Sequence, residues 1–104
     1  MKILVISAHP DDETLGCGAT LLKHNESGDS IHWLIATKPT SPQWDAKNIK
    51  EKSEEVKSVA EAYNVTSLTQ LEHPSTRMET IPLTNIIEDI RGCIDRIRPN
   101  QVYT

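Results

Sequence analysis

The block Lys2–Ala8, KILVISA, constrains the fold more than any other part of the chain. It is apolar and rich in β-branched residues but lacks strict alternation, as expected of a central strand covered on both faces of a parallel sheet. A helix-spaced stretch comes next. Thr14–Ser27 carries Leu15, Ala19 and Leu22 on one predicted face and stops at Gly28, which suits the position just past a helix end. Ser30–Thr37 reads as a second strand, and Pro39, Ser41 and Pro42 mark an irregular loop to about Trp44. Asp45 can cap a helix reaching Tyr63, with Ile49, Val56, Val59, Ala60 and Tyr63 in one narrow stripe among Lys and Glu residues. Asn64 ends that helix, and Thr66–Glu72 supplies a weaker third strand. Pro82 opens a third helix whose buried side is expected to hold Ile86, Ile87, Ile90, Cys93, Ile94 and Ile97. Pro99 closes it, and Asn100–Thr104 begins a fourth strand.

Strands alternating with helices predict an α/β fold, a three-layer Rossmann-like parallel sheet with helices on both faces and right-handed crossovers. In the strand order 3-2-1-4, winding reverses between the first and fourth strands, and ligands sit at the carboxyl ends of those two. The loop after the first strand is therefore where chemistry is expected.

Leu, Ile and Val number 24 of 104 residues, a little above the roughly 20% below which highly charged chains stay disordered. One small core is expected. A net charge of −4 removes the basic footprint that non-specific nucleic-acid or anionic-membrane binding requires. The apolar run Ile3–Ile6 is far short of a membrane span, and Asp11-Asp12-Glu13 follows too soon for a signal peptide. Cytoplasmic residence is the expectation, with Cys17 and Cys93 as free thiols.

The expected chemistry lies in His9-Pro10-Asp11-Asp12. Proline at the second position of a four-residue turn brings the first and fourth Cα atoms within about 7 Å. His9 and Asp12 can then meet one divalent ion, while Asp11 points elsewhere, free to take a proton from an attacking water. Mixed nitrogen and oxygen donors suit Zn²⁺, and Fe²⁺, Co²⁺ or Mn²⁺ accept them too. A plainer reading also accounts for the acids: Asp11 or Asp12 caps the first helix and Glu13 complements its dipole. Residue types alone leave both readings open.

The longer string Ala8-His9-Pro10-Asp11-Asp12-Glu13-Thr14-Leu15-Gly16-Cys17-Gly18 closely resembles the AHPDDExLGxGG signature of the PIG-L/LmbE-like zinc-dependent N-deacetylases. Weaker similarity continues through Tyr63-Asn64-Val65, Pro74–Arg77 and Arg98–Thr104. The resemblance implies that His9 and Asp12 bind zinc and that Asp11 is the general base toward the zinc-bound water, with Glu13 in support. It further implies hydrolysis of the acetamide of an N-acetylated amino sugar, such as an N-acetylglucosamine derivative, to amine and acetate. Arg77 offers a guanidinium to a substrate hydroxyl or phosphate, or stands as an exposed loop residue.

This sequence departs from the family pattern in three places. Ala19 replaces a second adjacent glycine, and Lys52, with Glu55 nearby, replaces a substrate-contacting arginine. The His-x-Asp-His segment that supplies a third ligand after the fourth strand does not occur before Thr104. Residues 1–104 are therefore expected to be one N-terminal portion of a deacetylase domain, binding metal weakly and turning over little alone. His73 is expected in a loop after the third strand near the substrate mouth, with His32 and His24 left to packing or solvent.

Three rival readings remain. A receiver-like module would hold Mg²⁺ on the paired acids but needs an aspartate where Glu72-His73 stands. A nucleotide-binding module would use Gly16-Cys17-Gly18, which lies inside the helix with no third glycine. An interaction piece would pair a second copy along an open sheet edge.

Overall fold

The alternation is realised in a computed structural model that describes residues 1–40 and 44–104. Ser41 and Pro42, assigned above to a loop, lie outside the described residues. The elements are β1 (Lys2–Ser7), α1 (Asp12–Glu26), β2 (Ser30–Lys38), α2 (Ala46–Ala62), β3 (Ser67–Pro74), a 3-10 turn (Met78–Thr80), α3 (Leu83–Ile97) and β4 (Gln101–Tyr103). All strand pairs are parallel, and the order is β3-β2-β1-β4.

Strand periodicity explains why β1 shows no polar face. Successive side chains point to opposite sides of the sheet, and both sides are covered. Ile3 and Val5 join Ile31, Trp33 and Ile35 of β2 against Leu21 of α1 and Val56 of α2, with Tyr63 just past α2. Leu4 and Leu34 face the other way, onto Cys93 and Ile97 of α3. Two helices therefore cover one face and one helix the other. The clusters meet at β1 and β2, which fixes the carboxyl end of β1 beside its two neighbours.

Two helical stripes differ from the sequence expectation. In α1, Leu15 is 86% and Leu22 48% exposed, while Glu13, Gly18 and Leu21 face inward. The cause is a break in phase: Cys17 has φ −148° and ψ 25°, which kinks the helix, and the turn before the kink buries a carboxylate that hydrophobic spacing does not register. In α3, Ile87 is 44% exposed, because a lone helix on an open sheet face buries only the stripe through Ile90, Cys93, Ile94 and Ile97.

Candidate functional site

The loop after β1 is held from β2. Trp33 Nε1 donates to the buried Ser7 Oγ at 2.7 Å, and Thr37 Oγ1 donates to the Ala8 carbonyl at 2.7 Å. His9 therefore leaves a fixed strand end. The chain then turns as Pro10 requires: the Asp12 N–H points at the His9 carbonyl at 3.3 Å, and Asp12 Oδ2 accepts the His9 N–H at 2.9 Å. His9 Nδ1 and Asp12 Oδ2 end 3.8 Å apart, with side chains 45% and 50% exposed. The structure brings together the two residues that the turn was expected to converge.

Asp11 diverges from that pair. Its backbone sits at φ 98°, a conformation that L residues rarely adopt and that costs on the order of 1–3 kcal/mol. Glu13 holds it there. The Asp11 N–H donates to both Glu13 carboxylate oxygens, at 3.2 and 3.1 Å, and Glu13 is buried. Thr14 Oγ1 lies 3.2 Å from Glu13 Oε1 and 2.8 Å from Tyr63 Oη, so the clamp extends to the end of α2. Gly18 makes room for it, since a Cβ there would stand 2.8 Å from Tyr63 Oη. Sequence reasoning gave Glu13 a supporting role but missed Tyr63 as its outer partner. A glycine inside a helical stretch was the available signal for a close approach. Burial and the charge of Glu13 together push the Cys17 thiol above its ordinary range, which suppresses thiolate reactivity.

His9 and Pro10 line an open cleft of about 630 Å³ between the carboxyl ends of β1 and β2 and the first turns of α2. Lys38, Trp44, Ile49, Lys50, Glu54 and Gln70 are among the other residues of its wall. Asp45 positions that wall by accepting the Asn48 N–H at 2.7 Å, the N-cap expected from sequence. Asp11 instead borders a second, shallower depression beside Glu51, Glu54 and Glu55 of α2.

The remaining candidates lie elsewhere. Arg77 is exposed ahead of the 3-10 turn and does not line the cleft. His73 differs from expectation: it lies within β3, opposite Thr37, with its side chain 11% exposed. The strand runs on to Pro74 because Ser75 N–H still bonds the Lys38 carbonyl, at 3.2 Å. His73 Nε2 stands 2.9 Å from Asp89 Oδ2 but makes no aligned hydrogen bond, leaving a close polar contact between β3 and α3. Nor is His24 simply packed or solvated. It joins Asp29 Oδ2 at 2.8 Å to Tyr103 Oη at 2.9 Å, linking α1 to β4. His32 Nδ1 meets Ser67 Oγ at 2.6 Å, and burial, reinforced by Lys2, pushes this imidazole below its ordinary value.

Two ligands of a tetrahedral zinc stand roughly 3.4 Å apart, so the 3.8 Å between His9 Nδ1 and Asp12 Oδ2 needs only a small side-chain adjustment. Asp12 keeps Oδ1 free of protein hydrogen bonds among the described residues. The donor chemistry therefore fits one edge of a metal site. No group of three or more His, Cys, Asp or Glu side chains placed to hold an ion occurs among the described residues.

A stretch of 37 residues, 36% of this chain and 10% of the relative, is 46% identical to the 1D-myo-inositol 2-acetamido-2-deoxy-alpha-D-glucopyranoside deacetylase of Kineococcus radiotolerans. N,N'-diacetylchitobiose deacetylase from Pyrococcus horikoshii superposes with a TM-score of 0.82 at 21% identity, over 97% of this chain and 39% of that one. GalB, the 4-carboxy-2-hydroxymuconate hydratase of Pseudomonas putida, superposes with a TM-score of 0.80 at 20% identity, over 97% of this chain and 45% of that one. These two likenesses establish the fold, and the chain spans under half of either structure. Residues 4–104 match the family described as PIG-L, GlcNAc-PI de-N-acetylase. With that match running from the core of β1 to the last residue, the chain belongs to the PIG-L family.

Proposed function

We propose that residues 1–104 form one N-terminal portion of a zinc-dependent deacetylase domain that hydrolyses the acetamide of an N-acetylated amino sugar. The observation that carries this reading is the approach of His9 to Asp12 across the Pro10 turn, with Asp11 turned away on a backbone that Glu13 clamps. His9 and Asp12 would hold the metal. Bound zinc supplies Lewis-acid polarisation of a carbonyl and acidifies water. Asp11, which borders the neighbouring depression, would turn its carboxylate toward this pair and take the proton from water as the water oxygen bonds to the acetamide carbon. The C–N bond breaks, acetate forms, and the departing amine needs the proton that Asp11 accepted.

The deacetylase relatives and the family match support this class. A hydratase on the same fold also adds water to its substrate, so the fold alone does not choose between them. The choice of an amide substrate rests on the family and on the sugar deacetylase that matches a 37-residue stretch of the chain. Two ligands among the described residues fit weak metal retention and slow turnover by this stretch alone. Two free thiols, one buried and one partly so, fit a reducing compartment, and we place the chain in the cytoplasm. No described helix is long and apolar enough to cross a membrane.

Acetate release from an N-acetylglucosaminyl conjugate tests the proposal. Slow release that requires zinc and disappears in His9→Ala is the expected result. Release unaffected by a chelator or by that substitution overturns it.

A further inference from the structure

Ala8 is the last residue before His9, and it lies just past the paired part of β1, whose register with β2 ends at Ser7 opposite Ile35. Its carbonyl is nevertheless held, by the Thr37 hydroxyl at 2.7 Å. Two features set this bond apart from ordinary satisfaction of a buried polar group. Ala8 is exposed, so water could serve its carbonyl equally well. Thr37 is only 1% exposed, in a strand where valine would fill nearly the same space with no hydroxyl to satisfy. The bond therefore restrains the Ala8 peptide more than it relieves it. The neighbouring bond differs in kind: Trp33 Nε1 and Ser7 Oγ belong to two residues each 2% exposed, so that pair serves the core.

Thr37 is anchored from its far side. It pairs with His73 of β3, and its carbonyl accepts from Gln70 Nε2 at 3.1 Å. Between those contacts one β2 residue, Ala36, stands against two of β3, Leu71 and Glu72, a bulge of the kind that re-aims side chains near a site. The sheet thus reaches Ala8 through a fixed hydroxyl. Beyond Ala8 the turn closes locally, with the His9 N–H donating to Asp12 Oδ2 and the Asp12 N–H facing the His9 carbonyl. Those local bonds give the turn its shape, and the Ala8 link sets the direction in which it leaves the sheet. Freed of that link, the Ala8–His9 peptide can rotate about the soft dihedrals on either side, and the imidazole swings with it.

We infer that Thr37 is a positioning residue: its hydroxyl fixes the Ala8 peptide and, through it, the direction from which the His9 imidazole meets the Asp12 carboxylate. The consequence for metal affinity rests on the function proposed above; the orientation of the turn does not.

Thr37→Val, Thr37→Ser, Ser7→Ala and His9→Ala, compared with wild type, test the assignment without turnover. Zinc affinity is measured by chelator competition, amide exchange at His9 is followed on the metal-free protein, and thermal melts report stability. Thr37→Val should bind zinc about tenfold more weakly, the scale on which an outer partner of a metal ligand acts, and should exchange the His9 amide faster. Its Tm should fall by no more than about 8 °C, as for one lost hydrogen bond. Thr37→Ser keeps the hydroxyl and should restore both affinity and exchange. Ser7→Ala leaves the buried Trp33 Nε1 without its partner, so it should lower Tm at least as far while zinc affinity holds. Unchanged affinity in Thr37→Val, with zinc lost in His9→Ala, overturns the assignment and leaves the deacetylase reading intact. Equal weakening in Ser7→Ala and Thr37→Val also overturns it, since any loosening of β1 would then suffice. Zinc retained in His9→Ala removes the metal reading; faster His9 exchange in Thr37→Val then upholds the positioning role, and unchanged exchange overturns that too.

Discussion

Replacing Gly18 by alanine puts the Glu13 clamp to a test in which the sign of the effect is informative. In an open helix such a change stabilises by about 1 kcal/mol, because alanine is the better helix former. Here the new Cβ would stand 2.8 Å from Tyr63 Oη, itself 2.8 Å from Thr14 Oγ1. Tyr63 is buried against the core, so its ring cannot swing freely. Displacing the hydroxyl forfeits a hydrogen bond worth about 1 kcal/mol, and overpacking adds about 1–3 kcal/mol. After the helix gain is set against these costs, Gly18→Ala should destabilise by about 1–3 kcal/mol, with Tm falling about 4–8 °C per kcal/mol. Tyr63→Phe removes the obstructing atom, so in that background the same alanine should be neutral or stabilising by up to about 1 kcal/mol. Gly92→Ala is the control, since a Cβ there meets nothing within 4 Å. Urea melts followed by circular dichroism measure all four. A Gly18→Ala protein more stable than wild type, or one that loses equally with and without the Tyr63 hydroxyl, would refute the packing account.

Further outcomes follow from the same contacts. Glu13→Gln replaces one of the two oxygens that accept the Asp11 N–H with an amide that cannot, so it should cost about 1–3 kcal/mol. Faster amide exchange at Asp11 should accompany the loss, and unchanged exchange would contradict the clamp. His32 has its folded-state value pushed below the unfolded one by burial and Lys2, so the unfolded chain takes up the proton first as pH falls. Its contribution to stability is therefore present above the ordinary histidine value and is lost as pH drops through the depressed one. His32→Gln should flatten that part of the stability profile, and an unaltered slope would rule the residue out.

Much of this fold is readable in the chain, and the failures have specific causes. The β1 block shows its burial on both faces through its lack of alternation, and Asp45 shows its cap by type and place. The turn at His9 follows from the fixed φ of Pro10. The inner face of α1 was hidden because Cys17 breaks the helical phase and the buried Glu13 carries no hydrophobic signal. The extent of β3 was hidden too, since an edge strand of mostly half-buried residues lacks strong periodicity. Within the site, the two converging side chains were legible from local geometry. Tyr63 was not, because its link to the loop joins residues 49 apart in sequence. The wall of the cleft was equally hidden: only the fold sets Lys38 beside one face of α2.

The central claim is that one imidazole and one carboxylate share an ion while the carboxylate between them does not. Zinc titration by chelator competition, run on the wild type, His9→Ala, Asp12→Asn and Asp11→Asn, measures it directly. One weak site is predicted in the wild type, retained in Asp11→Asn and lost in the other two. Zinc affinity that survives His9→Ala, or that depends on Asp11 rather than Asp12, would contradict the account.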